Sequence, residues 1–220
     1  MDFEQVMRTR FSCRKFTGEE VAGAIIEKIL ELAQHSASWC NVQPWQLILL
    51  SGQARRRFAE ALWQHLRSGV QPNPDFTFPE GYYGIYRERR KVCGVQLYES
   101  LGIGKEDKAR AHQQALENFR FFDAPHVALL TTEAFLGVYG AIDCGVYING
   151  FMLAARNFGV DSIAQASLAS YPEFVRSYFG LPENRKLVCG ITFGYAQREH
   201  PINQYRTERA PTDEVVRWEC

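Results

Sequence analysis

Ser36-Ala37-Ser38-Trp39-Cys40-Asn41-Val42-Gln43-Pro44-Trp45 joins two segments of different hydrophobic period. Before it, Val21, Ile25, Ile29 and Leu32/Ala33 recur at helical spacing, and Thr17-x-x-Glu20 reads as a capping box in front of them. After it, the short apolar run Leu47-Ile48-Leu49-Leu50 reads as a buried strand over about 45–50. The stretch is therefore a helix-to-strand connection, the kind of place where chains carry function. Small hydroxyls, amides and indoles alternate in it, which suits a surface that grips a flat ligand with polar edges. A proline-terminated loop whose Trp45 anchors the next strand is the plainer reading of the same residues.

Working outward, Asp2 to Met7 reads as a short helix leading into Arg8-Thr9-Arg10-Phe11-Ser12-Cys13-Arg14. On the other side a helix is expected over roughly 53–67, with Phe58, Ala61, Leu62 and Leu66 on one face and Arg55-Arg56-Arg57 solvated. Prolines 72, 74 and 79 and glycines 69, 81 and 84 then break any pattern, although Phe76, Phe78, Tyr82 and Tyr83 keep the stretch aromatic. Helices follow at about 86–101 and 105–122. Long irregular segments in compact domains are usually functional or mobile, so the excursion at about 68–104 reads as an active-site lid. His126 to Thr131 reads as a buried strand, and about 138–158 as a long helix whose only ionised residues are Asp143 and Arg156. Apolar on nearly every face, such a helix belongs in the core or in a subunit interface. An extended run from Val160 to Ser167, a helix from Tyr171-Pro172 to Phe179, a strand from Leu187 to Gly194 and a polar tail complete the chain. Interspersed helices and strands without repeat or linker imply one domain over 1–220, of mixed α/β or α+β class.

Composition removes several classes of function. With 25 Lys plus Arg against 25 Asp plus Glu, no long-range field attracts nucleic acid or an anionic membrane. No apolar run approaches the roughly 20 residues of a membrane span. The six cysteines (13, 40, 93, 144, 189 and 220) form no CxxC, and Met1-Asp2-Phe3-Glu4 has neither basic nor apolar leader character. A cytoplasmic protein with free thiols is the expectation.

Local motifs for common chemistries are also missing. No GxGxxG opens a helix, and Gly104-Lys105 imitates a P-loop end but has Glu99 where the first glycine is required. There is no GxSxG and no HExxH, and the histidines at 35, 65, 112, 126 and 200 are dispersed, so no metal site is expected. What remains is a binding problem. Arg8, Arg10 and Arg14 with Ser12 concentrate forked donors and positive charge in one extended segment, as a phosphate site requires, although solvated charge is the commoner fate of such runs.

Four stretches together resemble the FMN-dependent nitroreductase family: Arg10-x-Ser12-x-Arg14, the loop ending Asn41-x-Gln43-Pro44-Trp45, Ala164-Gln165-Ala166-Ser167, and Arg206-Thr207-Glu208-Arg209. They fall in the family's order and span nearly the whole chain. The tyrosine-rich 82–98 segment and Phe121-Phe122-Asp123-Ala124-Pro125 look closest to its nitrobenzoate and nitrobenzene reductase branch. The resemblance implies an α+β fold with a mixed sheet flanked by helices, and a homodimer with the long helix at its centre and FMN at the subunit interface. By that resemblance Arg10 and Arg209 hold the FMN phosphate, and Phe11, Ser12, Arg14 and Arg206 belong to the same cofactor site. Ala37, Ser38, Trp39 and Asn41 come from the partner subunit, while Gln165, Ala166 and Ser167 line the flavin ring. Trp39, Tyr83, Tyr86 and Arg90 are the substrate candidates. Trp39 stands where the family commonly has a small residue, so its indole narrows or stacks over the substrate space.

The implied chemistry belongs to the flavin, with no catalytic side chain: a ping-pong cycle in which NAD(P)H gives a hydride and a nitroaromatic, quinone or other electron-poor acceptor takes two electrons. No stretch reads the adenosine 2′-phosphate, so either nicotinamide nucleotide fits. The rivals are a reductive dehalogenase or flavin-consuming ring-cleaving enzyme on the same scaffold, a flavin store or sensor without turnover, and an interaction domain without cofactor.

Overall fold

A computed structural model describes all 220 residues. The chain runs α1 (Phe3–Thr9), α2 (Gly23–Gln34), β1 (Gln46–Ser51), α3 (Gly52–Arg67), α4 (Gly84–Glu99), α5 (Lys108–Leu116), β2 (His126–Glu133), α6 (Gly137–Asn157), β3 (Asp161–Gln165), α7 (Pro172–Phe179) and β4 (Arg185–Gly194). The strands form one sheet in the order β1-β2-β4-β3, antiparallel throughout. The one parallel pairing is an isolated bridge between Ser12 and Ser162. The architecture is α+β, as the resemblance implies, but the sheet is antiparallel rather than mixed.

β2 is central, and its alternation sorts the core into two layers. Ala128 and Leu130 face α2 and α6, packing with Ile29, Tyr147 and Phe151. Val127 and Leu129 face the other side, with Phe58 and Leu62 of α3 and Val175 of α7. A strand buried on both faces reads as a continuous apolar run, which is why His126–Thr131 is legible without alternation. The small residues of α6 are used for close approach: a Cβ on Gly150 would lie 2.5 Å from Ser36 Oγ, at the end of α2.

Three expectations change. Thr17 caps no helix: its hydroxyl accepts from Glu19 N–H at 3.2 Å, and α2 begins only at Gly23 behind Ala22, without a side-chain cap. The expected helix 105–122 is broken; α5 ends at Leu116, and a 3-10 segment follows in which Phe121, Phe122 and Asp123 hold left-handed backbone. Arg55 is not simply solvated, since its guanidinium lies 5.3 Å from the centre of the Phe121 ring and donates to Arg120 O at 3.0 Å. In addition, the helix through Ala134–Asn157 is long and apolar enough by composition to cross a membrane, contrary to the sequence reading. In this fold its Cys144, Tyr147 and Phe151 pack in the core beside α2 and the sheet.

His126 locks the start of the sheet in a defined protonation state. Its Nε2 accepts Val21 N–H at 2.9 Å, so the ring proton sits on Nδ1, 2.6 Å from Ser51 Oγ. Burial lowers its pKa from the ordinary 6.5, with Glu20 pulling weakly the other way. The neutral ring is thus favoured in the fold, and below about pH 6.5 the unfolded chain binds more protons. Stability from His126 is present above that value and is lost as pH falls through it, by at most about 1.4 kcal/mol per pH unit. Urea midpoints at successive pH values check this: His126→Gln should flatten the acid-side slope relative to the parent, and an unchanged slope would refute the assignment.

Candidate functional site

The segment after α1 runs extended, so alternate side chains point opposite ways. Phe11, Cys13 and Phe16 turn inward onto Phe122, Ala124, Ile163 and Ala196. Arg10, Ser12 and Arg14 are left half-buried on the other side. The backbone is pinned on both flanks: Cys13 N–H donates to Ser162 O at 3.1 Å, and Arg14 N–H to Asn203 Oδ1 at 2.9 Å. Asn203 also donates to Lys15 O at 2.7 Å and Gln197 O at 3.0 Å, which sets the far end of the chain against its beginning.

The result is a cleft of about 530 Å³ lined by Arg8, Arg10, Arg14, Arg206 and Arg209 and by no carboxylate. Arg14 donates to Tyr205 Oη at 2.8 Å, Arg209 to Thr207 Oγ1 at 2.9 Å, and Arg206 lies over the Phe11 ring at 4.1 Å. Arg10 alone has no hydrogen bond or ion pair from its guanidinium, because nothing in the chain is built to accept it. Burial and the charge of Arg209 both push the Arg10 pKa down. Burial likewise raises Tyr205, against the pull of Arg14. Like charges gathered in a half-buried cleft oppose each other until an anion enters, and Arg forks suit phosphate oxygens. Ser12, Thr207, Tyr205 and Asn149 add neutral donors and acceptors to the same walls. Beneath the floor, buried Asp161 accepts from Arg156 at 3.1 Å and Arg198 at 2.9 Å, so the fold's own counter-charge is spent there.

The other expected residues lie elsewhere in the single chain. The 36–45 loop flanks α6: Trp39 N–H donates to the buried Asp143 carboxylate at 3.1 Å, and its indole, 61% exposed, meets Tyr139 edge-on at 4.6 Å. Cys40, Asn41 and Gln43 take left-handed backbone, and Ser38 Oγ accepts Gln43 N–H at 3.0 Å. Ala37, Ser38 and Asn41 do not line the arginine cleft. Gln165 is buried, its amide donating to Asn118 O at 2.9 Å and accepting from Thr192, so its side chain is not free for a ligand. Ala166 is exposed, and Ser167 carries a buried hydroxyl with no partner. Tyr83 and Tyr86 are exposed at the start of α4, and Arg90 lies 5.2 Å from the centre of the Tyr82 ring; none reaches the cleft.

Sequence reasoning omitted Asn149, Tyr205 and Cys93 from the site. Asn149 had a signal, being one of the few polar residues in a mostly apolar helix. Cys93 had none, because only the docking of α4 brings it to the wall.

The model of the "Nitroreductase family" matches residues 7–195. Among curated proteins, the chain is 38% identical to nitroreductase NfnB of Mycolicibacterium smegmatis, covering 98% of this chain and 92% of that one. It is 32% identical to 4-nitrobenzoate reductase of Nocardioides sp., over 97% and 88% of the two chains. Of solved structures, the FMN- and NADPH-dependent nitroreductase NfnB of sphigopyxis sp. strain HMH superposes with a TM-score of 0.96 at 31% identity, covering 100% of each chain. The FMN-dependent NfnB of Mycobacterium smegmatis in complex with NADPH gives 0.92 at 37% identity, over 99% and 97%.

Proposed function

Because the chain belongs to the nitroreductase family, we propose that it is an FMN-dependent oxidoreductase carrying two electrons from NADPH to nitroaromatics or other electron-poor acceptors. The observation that carries this reading is the arginine cleft without a carboxylate, in which Arg10 has no partner of its own. A phosphorylated cofactor with an amide-edged ring fits that donor set, and bound FMN supplies a two-electron redox centre. Arg10 and Arg209 hold the phosphate, and Ser12, Arg14 and Arg206 the polar chain beyond it, with Phe11 as apolar floor. Ala166 and Ser167, with the backbone of Gln165, border the ring. For a nitro group the balance is R–NO2, NADPH and a proton giving R–NO, NADP+ and water.

The working unit is a homodimer. Phe135, just before α6, and Val138, Tyr139, Ile142 and Val146 on it form an exposed apolar stripe, an arrangement that single chains rarely leave uncovered. Trp39 continues that stripe, so covering it with a second copy brings Ala37, Ser38, Trp39 and Asn41 into the interface, facing the partner's cofactor. The excursion at about 68–104 then serves as the lid, presenting Tyr83, Tyr86 and Arg90 to the acceptor. Its first part is pinned by buried Asp75, which accepts from Arg176 at 2.7 Å and Leu187 N–H at 2.8 Å, leaving α4 as the part open to solvent. Six free thiols fit a cytoplasmic setting.

The test is an absorbance spectrum of the purified protein, with its mass by light scattering, before and after NADPH is added without oxygen. Yellow protein of twice the chain mass, bleached by NADPH and recoloured by a nitroaromatic, is expected. Yellow protein that stays oxidised would make it a flavin store, and colourless protein that FMN does not reconstitute would refute the reading.

A further inference from the structure

We propose that a second cavity, between α4 and α5, binds the adenosine 2′-phosphate end of NADPH. This rests on the oxidoreductase reading above and names where its electron donor is recognised. The cavity measures about 500 Å³, and Val95, Leu97, Tyr98 and buried Ile103 are among its walls. Its lining carries Arg90, Lys91, Lys105 and Lys108 with one carboxylate, Glu99, and the Glu106 carboxylate lies against Gly104 of the same wall, so positive charge is in excess. Lys105 and Lys108 make no ion pair in the chain, and Lys91 approaches Glu88 only to 3.9 Å. A flat apolar body carrying a dianion matches this arrangement: the adenine lies against the apolar wall and the 2′-phosphate meets the ammonium groups. An acidic peptide would satisfy the lysines but make no use of the apolar wall of Val95, Leu97 and Ile103.

Position supports the same occupant. Cys93 lines both this cavity and the arginine cleft, so the two hollows adjoin through α4. A dinucleotide reaching toward the cofactor therefore has a basic seat for its far end on the same helix. The sequence offered no reader of the 2′-phosphate because Lys105 and Lys108 lie in a turn and a helix start remote in sequence from every flavin motif.

The experiment compares the FMN-loaded parent with Lys105→Ala/Lys108→Ala and with the charge reversal Lys105→Glu. KM for NADPH should rise about tenfold in the double variant, while kcat and KM for NADH stay as in the parent. In the parent, 2′,5′-ADP should compete with NADPH far better than 5′-AMP does, and the double variant should lose that difference. Parallel changes for NADPH and NADH, or equal inhibition by the two adenosine nucleotides, would overturn the site. Should the protein oxidise neither nucleotide, calorimetric titration with 2′,5′-ADP and 5′-AMP decides the cavity independently: preference for 2′,5′-ADP lost in the variant supports it, and no preference refutes it.

Discussion

Arg10→Ala should strip FMN from the protein during desalting, and Arg209→Ala should do nearly the same. A hydrogen bond to a charged group contributes about 1.5–3 kcal/mol, so losing the Arg fork to a phosphate weakens FMN binding by at least about tenfold to 150-fold. Arg10 carries the larger share of this expectation because its guanidinium has no partner within the chain, whereas Arg209 keeps Thr207. The cofactor-free protein should behave in the opposite sense. Arg10 is disfavoured by burial and by Arg209, so its removal relieves repulsion, and apo Arg10→Ala should melt no lower than the parent. Arg10→Lys should restore charge but not the fork, giving intermediate retention. Flavin-to-protein ratio after desalting and the quenching of FMN fluorescence on titration measure both effects. A fully loaded Arg10→Ala protein would refute the role of Arg10.

That pairing of opposite signs also marks where the sequence is readable and where it is not. The arginine segment was legible because extended backbone puts 10, 12 and 14 on one side and the apolar 11 and 13 on the other. β2 was legible because burial on both faces writes a continuous apolar run, and α6 because its exposed face is apolar as well as its buried one. The capping box failed because Thr17 and Glu20 have a helix three residues downstream rather than between them, and the chain turns locally instead. The break after α5 was hidden because Phe121 and Phe122 are poor candidates for left-handed backbone; tertiary packing of Phe121 against Phe58, with ring centres 6.0 Å apart, over-determines it. Gln165 is placed at the ring by resemblance alone. The partners of its side chain, Asn118 and Thr192, lie 47 and 27 residues away and no local pattern announces them. Long-range pairing of this kind is set by topology, and it also decides which arginines meet.

Asp161→Ala is expected to be among the most destabilising single substitutions in the chain, by about 3–5 kcal/mol. Asp161 opens β3, is 2% exposed in its side chain, and is shared by Arg156 and Arg198. Arg156 is itself largely buried and also donates to Thr9 Oγ1 at 3.0 Å, at the end of the helix that leads to Arg10. Removing the carboxylate leaves that guanidinium desolvated without a counter-charge, which is the costly half of breaking a buried pair. Asp161→Asn, which keeps an acceptor oxygen, should lose less, and Arg156→Met in the Asp161→Ala background should recover part of the loss. Urea midpoints of the apo proteins would measure this, and an Asp161→Ala midpoint within experimental error of the parent would sink it. The functional consequence has the reverse sign to Arg10→Ala. Asp161 steadies the charge of Arg206 while Arg198 and Arg156 oppose it, so losing the carboxylate makes the cleft more positive. In the folded fraction of Asp161→Asn, FMN should therefore bind at least as tightly as in the parent although the scaffold is weaker. Stability and cofactor affinity moving apart in this variant, and apart in the other direction in Arg10→Ala, would separate the charge that holds the fold from the charge held for the ligand.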